Sequence, residues 1–530
     1  MPVRNGGMED PCYARERFRI TKPPHKIPIS CMFLSNFEIT KGNITVWSRK
    51  WSETNCEIDL ENVEFKALPS GIHEVSDDVI NFVLPKEVPG DEYHYGVAYY
   101  QQNGQEMAEG TDHVDRNAVK MYALGVIVDP NYRVSGVSDS GFNEWKPNQF
   151  TSANDYVDDL QDLLTHWLAK KEYDNFSLFD EYFDCNGLTN DAGGLASPML
   201  QRSGKPARDI FSHDSNAISK EASRPQMLDY LPFWIRKLGP LVFPLWKSCL
   251  LGERILILNP QGGSFELCNA LNYCLSIISL IPKALQIDRH EEYEYFVKPL
   301  FTIGISDIDS MVSDVRQVQR NAKVPGFIAC TSDEIIISKI ELYDKVLKLS
   351  KETTSQDGDD AAIYSNTGLQ IKATPHDFES LQSLYDNFLH EEMSSTAKVR
   401  CMSMIEPKTW TQCLIDGFYW WATAGYVKPS YQEHAHSTPT SSEDNEVEMI
   451  LSIIGYFHDR TSTLFNKLKA IIQASEHQGS DEVISIHPMT LGDMDLDCFS
   501  MQDRDFIIAL SWKLFQREVR ITGDYYEAIC

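Results

Sequence analysis

The strongest constraint on this fold is a seven-residue segment, Tyr122 to Val128 (YALGVIV), that is apolar almost throughout. A strand with one wet face alternates polar and apolar residues; one without that alternation is covered on both faces. Such a strand lies inside a sheet and needs a layer of structure on each side. Arg254 to Leu258 (RILIL) reads as a second, shorter buried strand. Two such strands on one chain, with helical patterns between and after them, predict an α/β fold.

The surroundings of the first strand predict an N-terminal lobe. Met32, Leu34 and Phe37 open a strand toward the turn Lys41-Gly42-Asn43, and Ile44, Val46 and Trp47 return as its hairpin partner. Tyr93 to Tyr100 and Lys120 to Val128 are further strands. Asn154 to Tyr173 is amphipathic, with Tyr156, Leu160, Leu163, Leu164, Trp167 and Leu168 on one face. Asp155, Asp158, Asp159 and Asp162 crowd its start and Lys170 and Lys171 close it, as a helix dipole favours.

A second lobe follows the buried strand at Arg254. Asn259 to Ser264 is a glycine-containing turn, and Phe265 to Leu280 a buried helix stopped by Pro282. Tyr295 to Ile305 and Gly326 to Ile337 are strand candidates, so strand and helix alternate as in a mostly parallel sheet. Beyond it, Glu446 to Ala474 carries Ile450, Ile453, Ile454, Phe457, Leu464, Leu468 and Ile471 at helical spacing. A last helix spans about Gln502 to Val519, with Ser500 placed to cap it and Asp503 three residues on. The expected divisions are a disordered arm at 1–26, a lobe at 27–184, a flexible linker at 185–226, an α/β lobe at 227–445 and a helical module at 446–530. Lys351 to His376 and Lys428 to Glu446 read as polar insertions.

Charge narrows the function. The chain has 530 residues, 48 basic and 77 acidic, for a formal charge of -29. That excess repels phosphate backbones, so no nucleic-acid partner is expected. The basic residues Arg4, Arg15, Arg17, Arg19, Lys22 and Lys26 cluster in the N-terminal arm, which reads as a solvated tail. No run of about 18 uncharged apolar residues is present. The 12 cysteines include no C-x-x-C, and the first residues are charged, which together predict a reducing, cytoplasmic setting.

Motifs for covalent chemistry are missing. There is no G-x-x-x-x-G-K-[ST]; the nearest feature is Asn259 to Ser264 (NPQGGS), a strand-to-helix turn that could offer a helix N-terminus to an anion, or simply a tight turn capped by Ser264. Gly136 to Gly141 lacks the spacing of a nucleophile elbow. His390 has no second histidine four residues on, and His434 and His436 stand without a neighbouring cysteine. No catalytic, cofactor-binding or metal-binding residue is therefore assigned. Asp307, Asp309 and Asp314 form a carboxylate-rich loop whose ordinary reading is a solvated face.

The collinear order of several segments resembles DENN-domain proteins. The hairpin carries Gly42, Asn43, Trp47 and Ser48 in a G-N-x-x-x-W-S pattern. Val63 to His73, Tyr95 to Val97, Arg116 and Tyr122 to Val128 continue the likeness. Leu238 to Lys247, Leu250 to Ile257, Phe265 to Pro282 and Pro299 to Ile305 extend it. Met489 to Val519 is similar to the C-terminal module of an LCHN-like fungal subgroup. The resemblance implies a longin-like N-terminal lobe, a doubly wound α/β lobe and a helical downstream module. It further implies a Rab-type small GTPase as partner, docked in a groove between lobes, and guanine-nucleotide exchange without bond-making chemistry; a non-catalytic Rab-binding adaptor is the alternative. Peripheral association with Golgi, endosomal or vesicle membranes goes with either. Asp307 and Asp309 follow a strand of the α/β lobe and are the candidate GTPase contacts. Ser306 stands where related proteins often carry a histidine.

Overall fold

The computed structural model describes residues 26–51, 58–86, 93–103, 119–130, 146–187, 224–286, 295–312, 326–350, 360–408, 412–413, 442–477 and 483–523. Residues 1–25 of the expected arm, residues 188–223 of the expected linker, Arg116, Gly136 to Gly141, Asp314, His434 and His436 lie outside these residues.

β1 (Ile29–Glu38) and β2 (Gly42–Lys50) form the predicted antiparallel hairpin. Gly42 sits at φ +78, a left-handed conformation that costs glycine little. A short helix, α1 (Val63–Ala67), leads to β3 (Asp77–Pro85), β4 (Tyr93–Gln102) and β5 (Met121–Val128). These five strands are antiparallel in the order β3-β4-β5-β1-β2. β5, buried from Tyr122 to Val128, lies between β4 and β1 as its composition demands. α2 (Val157–Lys170) lays Leu160, Leu163, Leu164 and Trp167 inward, the predicted face, and α3 (Ser177–Asn186) follows. Trp47 stacks on Phe176 at 6.3 Å between ring centroids. The glycine inside β5 is also explained: a Cβ on Gly125 would stand 2.4 Å from the Phe33 ring.

The second half begins with α4 (Leu231–Leu238) and α5 (Val242–Leu250), then β6 (Ile255–Leu258), the buried helix α6 (Phe265–Ile278), β7 (Lys298–Thr302), β8 (Phe327–Thr331) and β9 (Lys345–Lys348). β7-β8-β6-β9 is parallel, as the alternation predicts. Ile255 and Ile257 face the main core while Leu256 joins a smaller core with Ile303, Ala329, Ile336 and Val346 on the opposite face. Both faces are thus covered.

Several local expectations change. β3 is not among the strands the patterning predicts, because Asp77, Asp78 and Asn81 break its apolar run. Gly326 to Ile337 is a strand only to Thr331; Glu334–Ile337 is a helical turn. Lys351 to His376 contains β10 (Ala362–Ser365) and β11 (Gln370–Ile371), antiparallel additions at the sheet edge. α7 (Pro375–Leu384) and α8 (Ser395–Ser403) follow. The C-terminal module holds α9 (Ser442–His477), β12 (Ile484–Ile486), α10 (Met501–Phe515) and β13 (Val519–Ile521). It is mainly helical, as expected, with one small parallel ribbon of β12 and β13. Ser500 caps α10 by accepting from Asp503 N, again as expected.

The two halves share one eleven-stranded sheet and one apolar core. β3 meets β7 through the single residue pair Phe82 and Phe301. That one pair makes the two halves neighbours in a continuous sheet.

Candidate functional site at the junction of the two sheet halves

The segments after β6, β7 and β8 meet residues 66–78 of the antiparallel half, and polar side chains stitch the seam. At the deepest stitch, Asp78 at the start of β3 reaches the N-terminus of α6. Its carboxylate accepts from Phe265 N at 2.6 Å, Glu266 N at 3.1 Å, Ser264 Oγ at 3.0 Å and its neighbour Val79 N at 2.8 Å. The Asn259 to Ser264 turn does offer a helix N-terminus to an anion, as its sequence suggests, and the chain's own Asp78 is that anion. Gly262, at φ +74, makes the turn affordable. Ser264 caps α6 as predicted, accepting from Leu267 N at 3.3 Å.

Burial pushes the Asp78 carboxyl up to about 6, against the lowering effect of those four donors. The folded chain therefore holds this proton more tightly than the unfolded one. The contribution of Asp78 to stability is full below pH ~4 and is lost as pH rises through about 6.

Nearer the surface, Lys66 of α1 pairs with Asp307 at 2.7 Å, both largely covered. Asp307 also accepts from Gly304 N at 2.8 Å, closing the turn after β7. Ser332, after β8, donates to Ser70 O. Inside the seam, Asn269 of α6 donates to Thr302 Oγ1 at 3.1 Å and to Asn81 O at 3.5 Å. Arg224 grips Glu266 with two bonds, at 3.1 and 2.8 Å, and Gln161 of α2 with a third at 3.0 Å.

Of the two sequence-predicted contact residues, Asp307 is a seam residue committed to Lys66, and Asp309 is exposed. Asp309 does have an interaction within the chain. Phe65, next to Lys66, and Ile305, two residues before Asp307, are exposed apolar side chains at 43% and 50%. Sequence reasoning missed Asp78, Lys66 and Asn269. The signal for Asp78 was faint: two aspartates opening an apolar run.

Thiol chemistry is suppressed here. Burial pushes Cys330 up to about 12 and raises Cys268 well above its ordinary value, which keeps both as inert thiols of the core. Among the described residues, no group of three or more His, Cys, Asp or Glu is arranged to hold a metal ion. No helix among them is long and apolar enough to cross a membrane.

Fold and seam define a layered α/β protein made of an antiparallel half and a parallel half. The family model described as DENN domain-containing protein 11 matches residues 32–359, more than half of the chain, so this protein belongs to that family of DENN-domain proteins. Uncharacterized protein ANR2 of Saccharomyces cerevisiae is 39% identical over 538 residues, covering 98% of each chain. DENN domain-containing protein 11 of Danio rerio is 24% identical, over 62% of this chain and 54% of its own length. The Rattus norvegicus protein of the same name is 24% identical, over 60% and 56%. The likeness thus spans the yeast relative end to end and just over half of the vertebrate ones.

Proposed function

We propose that this protein regulates membrane traffic by binding a Rab-type small GTPase and promoting its GDP/GTP exchange. Membership of the DENN domain-containing protein 11 family carries this reading. The likeness of Met489 to Val519 to the LCHN-like fungal subgroup adds to it. We read 27–184 as the longin-like lobe, 227–445 as the α/β lobe and 446–530 as the downstream module, with the β3-β4-β5-β1-β2 order supporting the first. Such exchange uses binding energy alone. The exchange factor holds the nucleotide-free GTPase more tightly than the loaded one, and each ~1.4 kcal/mol of that preference speeds release about tenfold.

The contact surface proposed here is the loop after β7, with exposed Asp309 and Ile305, together with exposed Phe65 of α1, whose neighbour Lys66 bonds to that loop. Asp309→Lys probes the exposed part of the loop, whereas altering Asp307 breaks the bond to Lys66 that closes the seam. The test is release of labelled GDP from a complete Rab panel at catalytic amounts of protein. Acceleration of at least tenfold on one or a few Rabs is expected, with Asp309→Lys slowing association. Unchanged rates across the panel would overturn exchange, and selective capture of GTP-loaded Rab would put an adaptor in its place. Peripheral recruitment to Golgi, endosomal or vesicle membranes belongs to the same proposal.

A further inference from the structure

The helical module is joined to the parallel half through a chain of buried and half-buried ionisable side chains that the GTPase reading does not use. His376 is the second residue of α7, and its Nε2 lies 2.7 Å from Asp495 Oδ1. Asp495 occupies the loop before α10 at φ +60, and its other oxygen is 2.9 Å from Arg460 Nε of α9. Arg460 also donates to Asp495 O at 2.7 Å and to Tyr456 Oη at 2.8 Å. Its guanidinium lies over the rings of Phe243, Trp246 and Tyr456, at 5.1, 5.7 and 5.6 Å from their centroids. Beside His376, Asp377 accepts from Lys247 of α5 at 2.9 Å, and the same ammonium donates to Asp503 of α10 at 2.6 Å.

The charges do not balance. Lys247 and Arg460 face Asp377, Asp495 and Asp503. Asp497 lies one step beyond, its carboxylate taking Phe499 N at 2.8 Å. Glu379 on α7 approaches His376 Nδ1 at 3.9 Å from the solvent side. Every cation but one is permanently charged at neutral pH, and His376 is the exception. Its side chain is 31% exposed, so it can exchange its proton with solvent.

We propose that His376 is a pH-responsive latch, which when protonated pins α7 to the Asp495 loop and so holds the helical module on the parallel half. The charged imidazolium supplies the positive charge the cluster lacks and makes a charge-assisted bond to Asp495. Without its proton the ring keeps a single neutral bond, and the excess negative charge loosens the joint. Desolvation lowers the His376 pKa and Arg460 does too, but the bond to Asp495 and the nearby Asp377 outweigh them and raise it. Desolvation raises Asp495, yet His376 and Arg460 hold it below the ordinary carboxylate range. The sign follows. A raised histidine contributes its full stabilisation below its unfolded value of ~6.5 and loses it as pH rises through the folded value.

The test is hydrogen exchange of the intact chain from pH 5.5 to 8.5, read at amides of α7 and residues 489–500 and corrected for intrinsic rates. In the native protein their opening is expected to increase with pH above 6.5, up to ~10-fold for each unit by which the histidine is raised. His376→Gln and Asp495→Asn should open more at pH 6 and show no such rise. Opening that follows the same pH profile in the native protein and His376→Gln overturns the latch. Should the variants not fold, NMR titration of histidine-labelled native protein decides. A histidine titrating above 6.5 that loses its shift in high salt supports the latch, and the absence of any histidine above 6.5 ends it.

Discussion

The antiparallel half and the joint with the helical module are both deeply buried, yet different physics holds them. Between the sheet and the helices of the antiparallel half the contacts are mostly apolar and aromatic, with the ion pair Lys86–Asp129 at the end of β3 and β5: Phe33 fills the space that Gly125 leaves, and Trp167 meets Tyr122 at 5.1 Å and Phe179 at 5.4 Å. In the joint, Lys247, Asp377 and Asp503 are almost wholly covered and hold one another. Burial pulls the Lys247 ammonium down, and the two carboxylates more than offset it, so its pKa is raised. Apolar packing tolerates small shifts at a graded cost. A buried ion cluster tolerates the loss of no member, because the survivors are stranded without water.

That contrast can be broken most forcefully at Lys247. Lys247→Met strands two carboxylates and should cost about 3–5 kcal/mol in urea unfolding. A loss below about 1 kcal/mol would mean that water already reaches the cluster. The antiparallel half should respond less. Gly125→Ala forces the Phe33 ring aside and should cost about 1–3 kcal/mol, with no pH dependence between 6 and 8. A pH-dependent loss there would erase the distinction between the halves. The smallest effect sharpens the picture from outside both regions. Gly455 is exposed in the middle of α9, and nothing lies within 4 Å of where its Cβ would be. Gly455→Ala should stabilise by about 0.5–1 kcal/mol, seen as a higher denaturation midpoint. A destabilisation would show that α9 needs to bend there.

Legibility in the sequence tracked the same contrast. β5, β6, α2 and α6 could be read because each carries a long apolar period of its own. Ser264 and Ser500 could be read because a cap acts within three residues. β3 escaped, since its Asp78 serves a helix 186 to 188 residues away. β10 and β11 escaped because they are two to four residues long and gain their pairing from neighbours.

The candidate site divided in the same way. The loop bearing Asp307 and Asp309 was visible as the segment after a strand, but nothing local to it announced Lys66, 241 positions earlier in numbering, as the partner of Asp307. The turn at Asn259 to Ser264 advertised an affinity for anions without revealing that the anion is internal.

The sequence by itself determined the layered α/β class, the buried central strands, the helical C-terminal end and the family resemblance, because periodicity and capping act over a few residues. Tertiary structure alone decided that the halves share one sheet, that Asp78 fills the α6 N-terminus and that Lys247, Asp377 and Asp503 meet. Electrostatic pairing depends on distance in space, and distance along the chain carries no record of it.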